Sequence, residues 1–302
     1  MICRTPIVPW GSHEVEIYLS GRRFSRLVTF FFEPAKPKPN RMMSIVSGMQ
    51  FGCILAGLFV IVAIFSAHHT WWKVPKPWGK GWARVVLYHH ICPSIPPSSM
   101  NTQPHSFERQ IRWLKRRKAD FCTLSELVDR MTCHEEGRFV AITLDDGYVD
   151  NYVHAYRIIK KHGAKMTVFL NPGIEDSGLL DVGQIQTMQQ SGCVEFGAHT
   201  LTHPDLTRLD DATARHEIEG SIRATEAMTG VPCRTFAYPF GRFGERDVRL
   251  VREAGMVCAV GIKSRIMPWA EVDLHAMPRI GTNGKVSLLQ FCLAFSRGRH
   301  RL

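Results

Sequence analysis

The sequence predicts an α/β domain built on a parallel sheet, open or closed into a barrel, and preceded by one membrane-spanning helix. Three observations point there. From residue 83 onward, short apolar runs alternate with helical patterns, the order that lays helices over a parallel sheet. Gly163, Gly192, Gly230 and Gly255 each stand just beyond a helical pattern, where a left-handed C-terminal cap is wanted. Upstream, no charged residue occurs from Met42 to Ala67. A mixed α+β domain is the competing arrangement, and no internal repeat is visible.

In chain order, residues 1–41 are polar, punctuated by proline and without a sustained period, which fits a disordered tail or an incorrectly assigned start. Residues 42–67 read as a transmembrane anchor. The apolar stretch Ser44–Phe65 is long enough to span a bilayer as a helix, and Trp71 and Trp72 follow at interfacial depth. A cleaved signal peptide is the rival, but it would put Phe65 at the minus-three position for cleavage after Ala67, against the small-residue rule. Arg22, Arg23, Arg26, Lys36, Lys38 and Arg41 outnumber Lys73, Lys76, Lys80 and Arg84 across the span, which leans toward a cytoplasmic N-terminus and an extracytoplasmic domain. A start at Met42 or Met43 would remove the upstream charges and reverse that lean. Residues 68–82 read as a linker and 83–302 as the folded domain.

Within the domain, Ala83–His90 is an apolar strand ending in polar residues. There follow a helix near 106–118, strand 139–145, helix 149–162, strand 164–170, helix 181–191 and strand 194–198. Helix 211–229, strand 234–238, helix 245–254 and strand 256–260 continue the series. The formal charge of +11 is concentrated in the N-terminal region, the 112–118 segment and Arg297–Arg301, a distribution that suits solvated or membrane-facing surfaces. No P-loop, zinc-finger spacing or basic module interleaved with aromatics occurs, so nucleic acid is not an expected partner. The nine cysteines contain no Cys-x-x-Cys pair, and seven of them lie after the apolar span. That odd, scattered set gives no disulfide framework, and most are read as buried small hydrophobes.

The chemistry lies in two clusters at predicted strand ends. Asp145-Asp146-Gly147 closes the run Phe139–Leu144, and His199-Thr-Leu-Thr-His203 follows Val194–Ala198. Adjacent side chains on a strand point to opposite faces, so both aspartates serve one site only where the strand ends and the backbone turns, as Gly147 permits. Two imidazoles and one carboxylate form the ligand set of an open, catalytic zinc site. The other carboxylate is left free as a base. Pro204 disfavours the α conformation at His203, which places the histidines on a turning loop rather than on one helical face. Carboxyl ends of strands are where α/β folds build active sites.

These residues resemble the polysaccharide deacetylase family, carbohydrate esterase family four, whose Thr-Phe-Asp-Asp and His-Ser/Thr-x-x-His motifs stand here as Thr143-Leu-Asp-Asp146 and His199–His203. The resemblance covers roughly residues 83–290. It implies a distorted (β/α) barrel with fewer strands than the eight-stranded form, and N-deacetylation of N-acetylglucosamine-containing glycans. Leu87-Tyr-His-His90, Phe236-Ala-Tyr-Pro-Phe-Gly241 and Met277-Pro-Arg-Ile280 look like the branch of poly-N-acetylglucosamine deacetylases from exopolysaccharide systems. On that likeness a divalent metal, zinc first, is held by Asp146, His199 and His203. Asp145 is the general base, and the backbone N–H of Phe240 helps bind the oxyanion. Two departures matter. The family's Arg-x-Pro-Tyr is here Ala237-Tyr-Pro-Phe240, so its arginine is missing, and Arg279 is the candidate substitute against a reading as a surface arginine. The late Leu-x-His that supplies the general acid is also missing, which leaves His89, with His275 as runner-up and His90 pointing to the other face. Rival functions are hydrolysis of peptidoglycan acetamides or O-acetyl esters, and a catalytically silent, membrane-tethered glycan-binding protein. The intact set of Asp145, Asp146, His199 and His203 argues against silence.

Overall fold

Strands in the predicted positions alternate strictly between two kinds of residue, and the computed structural model shows why. It describes residues 16–19, 22–25, 76–79, 81–176 and 178–298. The predicted anchor at 42–67 lies outside the described residues; among them, no helix is long and apolar enough to cross a membrane. Within the first stretch, read from sequence as a tail, β1 (Glu16–Leu19) and β2 (Arg22–Ser25) pair antiparallel.

The domain is built on eight parallel-paired strands. They are β3 (Arg84–Tyr88), β4 (Asp120–Cys122), β5 (Phe139–Leu144), β6 (Met166–Leu170), β7 (Val194–Ala198), β8 (Thr235–Ala237), β9 (Cys258–Val260) and β10 (Ile280–Gly281). Their order is β10-β3-β5-β6-β7-β8-β9, and β4 lies off this path. It pairs with Phe139–Ala141 of β5, while β6 pairs with Ile142–Leu144, so two short neighbours share one edge. The path therefore has one strand fewer than an eight-stranded barrel. Its ends meet through one segment: Met277 N–H donates to Ala259 O at 2.9 Å, and three residues later Ile280 and Gly281 pair with Val86 and Leu87.

One face of the strands carries Val86, Tyr88, Val140, Ile142, Leu144, Met166, Val168, Val194 and Phe196, all in one buried cluster. That cluster includes residues of α1 (Pro104–Arg116), α4 (Val182–Gln190) and α7 (Leu288–Arg297). Toward β8 and β9 the same face continues as Phe236, Tyr238 and Ala259, packed on α5 (Asp211–Thr229) and α6 (Glu245–Glu253). The alternate positions carry Val85, Ala141, Phe169, Ala237 and Val260, with Thr143, Thr167 and Thr235 fully buried beside them. This is period-2 patterning, with most helices on one side of the sheet and, on the other, a mixed interior against which the helix Leu124–Thr132 packs.

The structure amends several boundaries. The helix expected over 149–162 begins as a π-helical stretch, Asn151–Tyr156, before α3 (Arg157–His162). Missing from the sequence reading are β4, α2 (Leu124–Thr132), β10 and α7. The two helices did carry a signal: Thr123 with Glu126, and Ser287 with Gln290, form reciprocal capping boxes. The four glycines expected as caps all adopt positive φ. Of the seven described cysteines, all free, only Cys122, Cys233 and Cys258 are buried and Cys133 is exposed, so burial does not account for most of them.

Candidate active site and metal centre

On β5 the interior face runs through Ala141 and Thr143, and the next position in that register is Asp145. Its amide donates to Tyr88 O at 3.0 Å. The chain then turns at once, with φ of 74° at Asp146 and 68° at Gly147. The turn swings Asp146 to the side of the sheet that Asp145 faces. A Cβ at Gly147 would stand 2.7 Å from Leu170 Cδ2, the end of a side chain that can shift, so the positive φ is what calls for glycine here. The expectation that this turn unites the two carboxylates is met.

The histidine loop is shaped the same way. Thr200 and His203 sit at φ of 66° and 59°, consistent with Pro204 keeping His203 out of the α region. Asn171, at the end of β6, donates through Nδ2 to the carbonyl of His199 and to that of Thr200 at 3.4 Å. The Thr200 hydroxyl accepts the His203 amide at 3.1 Å, and Glu217 of α5 takes both the amide and the hydroxyl of Thr202. Left-handed non-glycine backbone costs on the order of 1–3 kcal/mol per residue and persists only where surroundings impose it. Among the described residues four of the six such positions, Asp146, Thr200, His203 and Phe240, fall in this one site.

The result is a compact set of donor atoms. Asp146 Oδ1 lies 3.7 Å from His199 Nε2 and 3.6 Å from His203 Nε2, and one ligand atom from each of the three lies within 4.8 Å of the others. Two donors at ~2.0–2.1 Å from a tetrahedral zinc stand roughly 3.3 Å apart, so each Asp146–histidine pair comes within a few tenths of an ångström of that spacing. His199 is arranged for the task. Its Nδ1 donates to Ala237 O at 2.7 Å, which leaves the Nε2 lone pair toward Asp146 and His203. Burial holds its pKa below the ordinary value, against the opposing pull of Asp145 and Asp146.

Asp145 is fixed by the residue that the sequence offered as a substitute cation. Arg279 is fully buried rather than on the surface, because it lies in the segment that joins β9 to β3, one position before the outward-packed Ile280. Its guanidinium donates to both carboxylate oxygens of Asp145, at 2.6 and 2.8 Å, and Nε donates to Gly261 O at 2.8 Å. Burial, the largest single influence, raises the Asp145 pKa; the Arg279 charge, the His199 charge and the Arg279 hydrogen bonds together outweigh it and bring the carboxyl down to about 2.

Period-2 alternation also separates the histidine pair at the end of β3. His89 follows Val85 and Leu87 into the pocket with Asp145 and Asp146. Its buried Nδ1 has no hydrogen-bond partner among the described residues, and burial lowers its pKa despite the nearby carboxylates. His90 turns away, donates to Asp150 Oδ2 at 2.6 Å and stacks on Tyr148 at 3.5 Å. His275 is remote from this pocket: its Nε2 bonds Met256 O at 2.9 Å, before β9 begins. Phe240 lies on the pocket rim, half exposed, with its ring edge-on to His203 at 4.6 Å. The pocket, about 470 Å³, thus gathers Asp145, Asp146, His89, His199, His203 and Phe240.

Residues 134–259 match the sequence model of the polysaccharide deacetylase family. That match covers somewhat less than half of the chain. The chain is 28% identical over 189 residues to the putative polysaccharide deacetylase YxkH of Bacillus subtilis, covering 62% of this chain and 65% of that one. It is 25% identical over 192 residues to a poly-beta-1,6-N-acetyl-D-glucosamine N-deacetylase of Staphylococcus aureus, covering 58% of this chain and 65% of that one. The chain thus spans just under two thirds of each relative's length. Its fold matches that of the Streptococcus pyogenes deacetylase PplD with a TM-score of 0.65 at 22% identity, over 74% of this chain and 99% of that one. Sequence reasoning overlooked Asn171 and Glu217, which shape the histidine loop without a motif of their own.

Proposed function

We propose that the protein is a membrane-anchored, metal-dependent N-deacetylase that removes acetyl groups from N-acetylglucosamine units of an extracytoplasmic polysaccharide. One observation carries this reading: a carboxylate clamped by a buried arginine stands beside a separate Asp-His-His donor set, in one pocket with His89. Two carboxylates of identical chemistry are thereby given different tasks. Asp146 is available to a metal, and Asp145 is not.

A divalent ion, zinc first, held by Asp146, His199 and His203 supplies Lewis acidity toward water and the acetyl carbonyl. Asp145, kept ionised and oriented by Arg279, accepts the proton of the attacking water. Its low pKa makes it a poor resting place for that proton. His89, in the same pocket, takes over that proton and delivers it to the amine nitrogen as the carbon–nitrogen bond breaks. The backbone N–H of Phe240 is offered to the developing oxyanion. The poly-beta-1,6-N-acetyl-D-glucosamine deacetylase among the relatives supports this glycan class, and the uncharged Met42–Ala67 stretch supports the anchor.

The test is acetate release by the full chain in detergent from poly-N-acetylglucosamine, with zinc content measured on the same preparation. Acetate that appears with bound zinc and stops on chelation is the expected result. A zinc-loaded protein that releases none from the polymer refutes the assignment.

A further inference from the structure

The pocket extends beyond the reacting groups along a wall that amide hydrolysis does not use. Resting on the deacetylase reading, we propose that Ser99, Met100 and Asn283 form a preformed subsite for the sugar adjoining the one that loses its acetyl group. All three line the same pocket as Asp145 and His89.

Two loops build the wall and are locked before any ligand arrives. In the loop that leaves β3, buried Asn101 accepts the Cys92 amide at 3.0 Å and donates to Cys92 O at 3.0 Å. Gln103 donates to Cys92 O and Ile95 O at 3.2 and 2.7 Å. His90 N–H donates to Met100 O at 2.9 Å, and Thr102 N–H returns to His90 O at 3.0 Å. The second loop follows β10 and is pinned to the first: Gly284 N–H donates to Ser98 O at 2.8 Å. A Cβ at position 284 would fall 1.9 Å from Asn101 O, so only glycine allows this seam. Ser99, Met100 and Asn283 are therefore carried on backbone that binding need not order, which removes a main cost of association.

Their chemistry suits an uncharged pyranose, with its apolar C–H face and polar edge. Met100 is 42% exposed and offers an apolar surface, with Phe240 and Ile262, also exposed, lining the same pocket. Asn283 Oδ1 already accepts the Lys285 amide at 2.9 Å. Among the described residues its Nδ2 and the Ser99 hydroxyl make no intramolecular hydrogen bond. Lys263, Arg265 and Lys285 are exposed nearby, but none of them lines the pocket. A few polar groups set in an apolar wall is the usual composition of a small-ligand site.

The experiment compares kcat/KM for acetate release from N-acetylglucosamine and from its β-1,6-linked dimer to pentamer, using the full chain in detergent. Wild type should favour the oligomers. In Met100→Ala and in the Ser99→Ala/Asn283→Ala double variant the oligomer-to-monomer ratio should fall about tenfold, through KM, as expected for losing one or two hydrogen bonds or an apolar contact. Met100→Leu should restore the ratio. Oligomer titrations of Asp145→Asn proteins with and without the wall substitutions should show the same loss in affinity. A ratio unchanged in both variants, with an active enzyme, overturns the subsite alone; wild type that releases acetate from no oligomer overturns the deacetylase reading and the subsite together.

Discussion

Replacing Arg279 by Ala removes the only side chain among the described residues that holds both oxygens of Asp145, together with its bonds to Gly261 O and Thr143 Oγ1. Both partners are buried, Arg279 at 0% and Asp145 at 2% exposure, so little solvent is at hand to replace the lost charge. Breaking a buried pair from one side typically costs about 3–5 kcal/mol. At about 2–4 °C per kcal/mol for a domain of this size, the melting temperature should drop by roughly 6–20 °C. Burial is the largest influence on Asp145 and acts upward; without the guanidinium the carboxyl should titrate above its ordinary 3.8 instead of near 2. The pH dependence of stability then changes sign. Wild type has the ion pair's stabilisation above 3.8 and loses it as pH falls toward 2, whereas the variant's carboxyl binds its proton more tightly when folded and gains stability as pH falls through its raised pKa. Turnover should fall by about 100- to 10,000-fold at neutral pH, the range for loss of a general base, with the acid limb of kcat/KM displaced upward. Zinc should stay near stoichiometric, because Arg279 has no hydrogen bond to Asp146, His199 or His203. The assays are acetate release against pH, metal analysis and thermal unfolding. Wild-type turnover with an unmoved acid limb would show that Arg279 does not tune Asp145; loss of zinc would show that it supports the ligand set instead.

The two aspartates should respond differently to the same change: Asp146→Asn should lose zinc along with activity, since an amide is a poor ligand, whereas Asp145→Asn should keep zinc and lose about 100- to 10,000-fold in rate. Equal metal loss in both would refute the division of labour. His89→Gln should retain zinc and slow acetate release to a similar degree, while His275→Ala, at the far side of β9, should not; wild-type rates in the first variant would reassign the acid. The protein should resist alkaline extraction from membranes, and a reporter fused after Leu302 should be active only outside the cytoplasm. A soluble product beginning near His68 would point to cleavage instead.

The sequence determined the order of strands and helices, because period-2 and helical patterns, and the glycines that end helices, are local properties of the chain. It also located the candidate metal donors. Asp146, His199 and His203 lie where apolar runs end, and Pro204 acts on the residue directly before it. His89 was separable from His90 by the same alternation that sorts every strand residue. The elements it left out are the ones with the least local signal or with a signal overlooked: three residues in β4 and two in β10, and the capping boxes of α2 and α7.

What only the tertiary structure decided is the state of Asp145. Its partner Arg279 stands 134 residues away, and no pattern around Met277–Ile280 says whether that arginine faces solvent or the interior. Joining the two ends of the sheet decides it. That segment must bond β9 at Met277 and β3 at Ile280, and with Ile280 turned toward the helices, Arg279 has only the interior to enter. A buried guanidinium needs acceptors, and Asp145, Thr143 and Gly261 O are the ones within reach. Local chemistry named the carboxylates; the joining of the sheet's ends set a buried arginine against one of them.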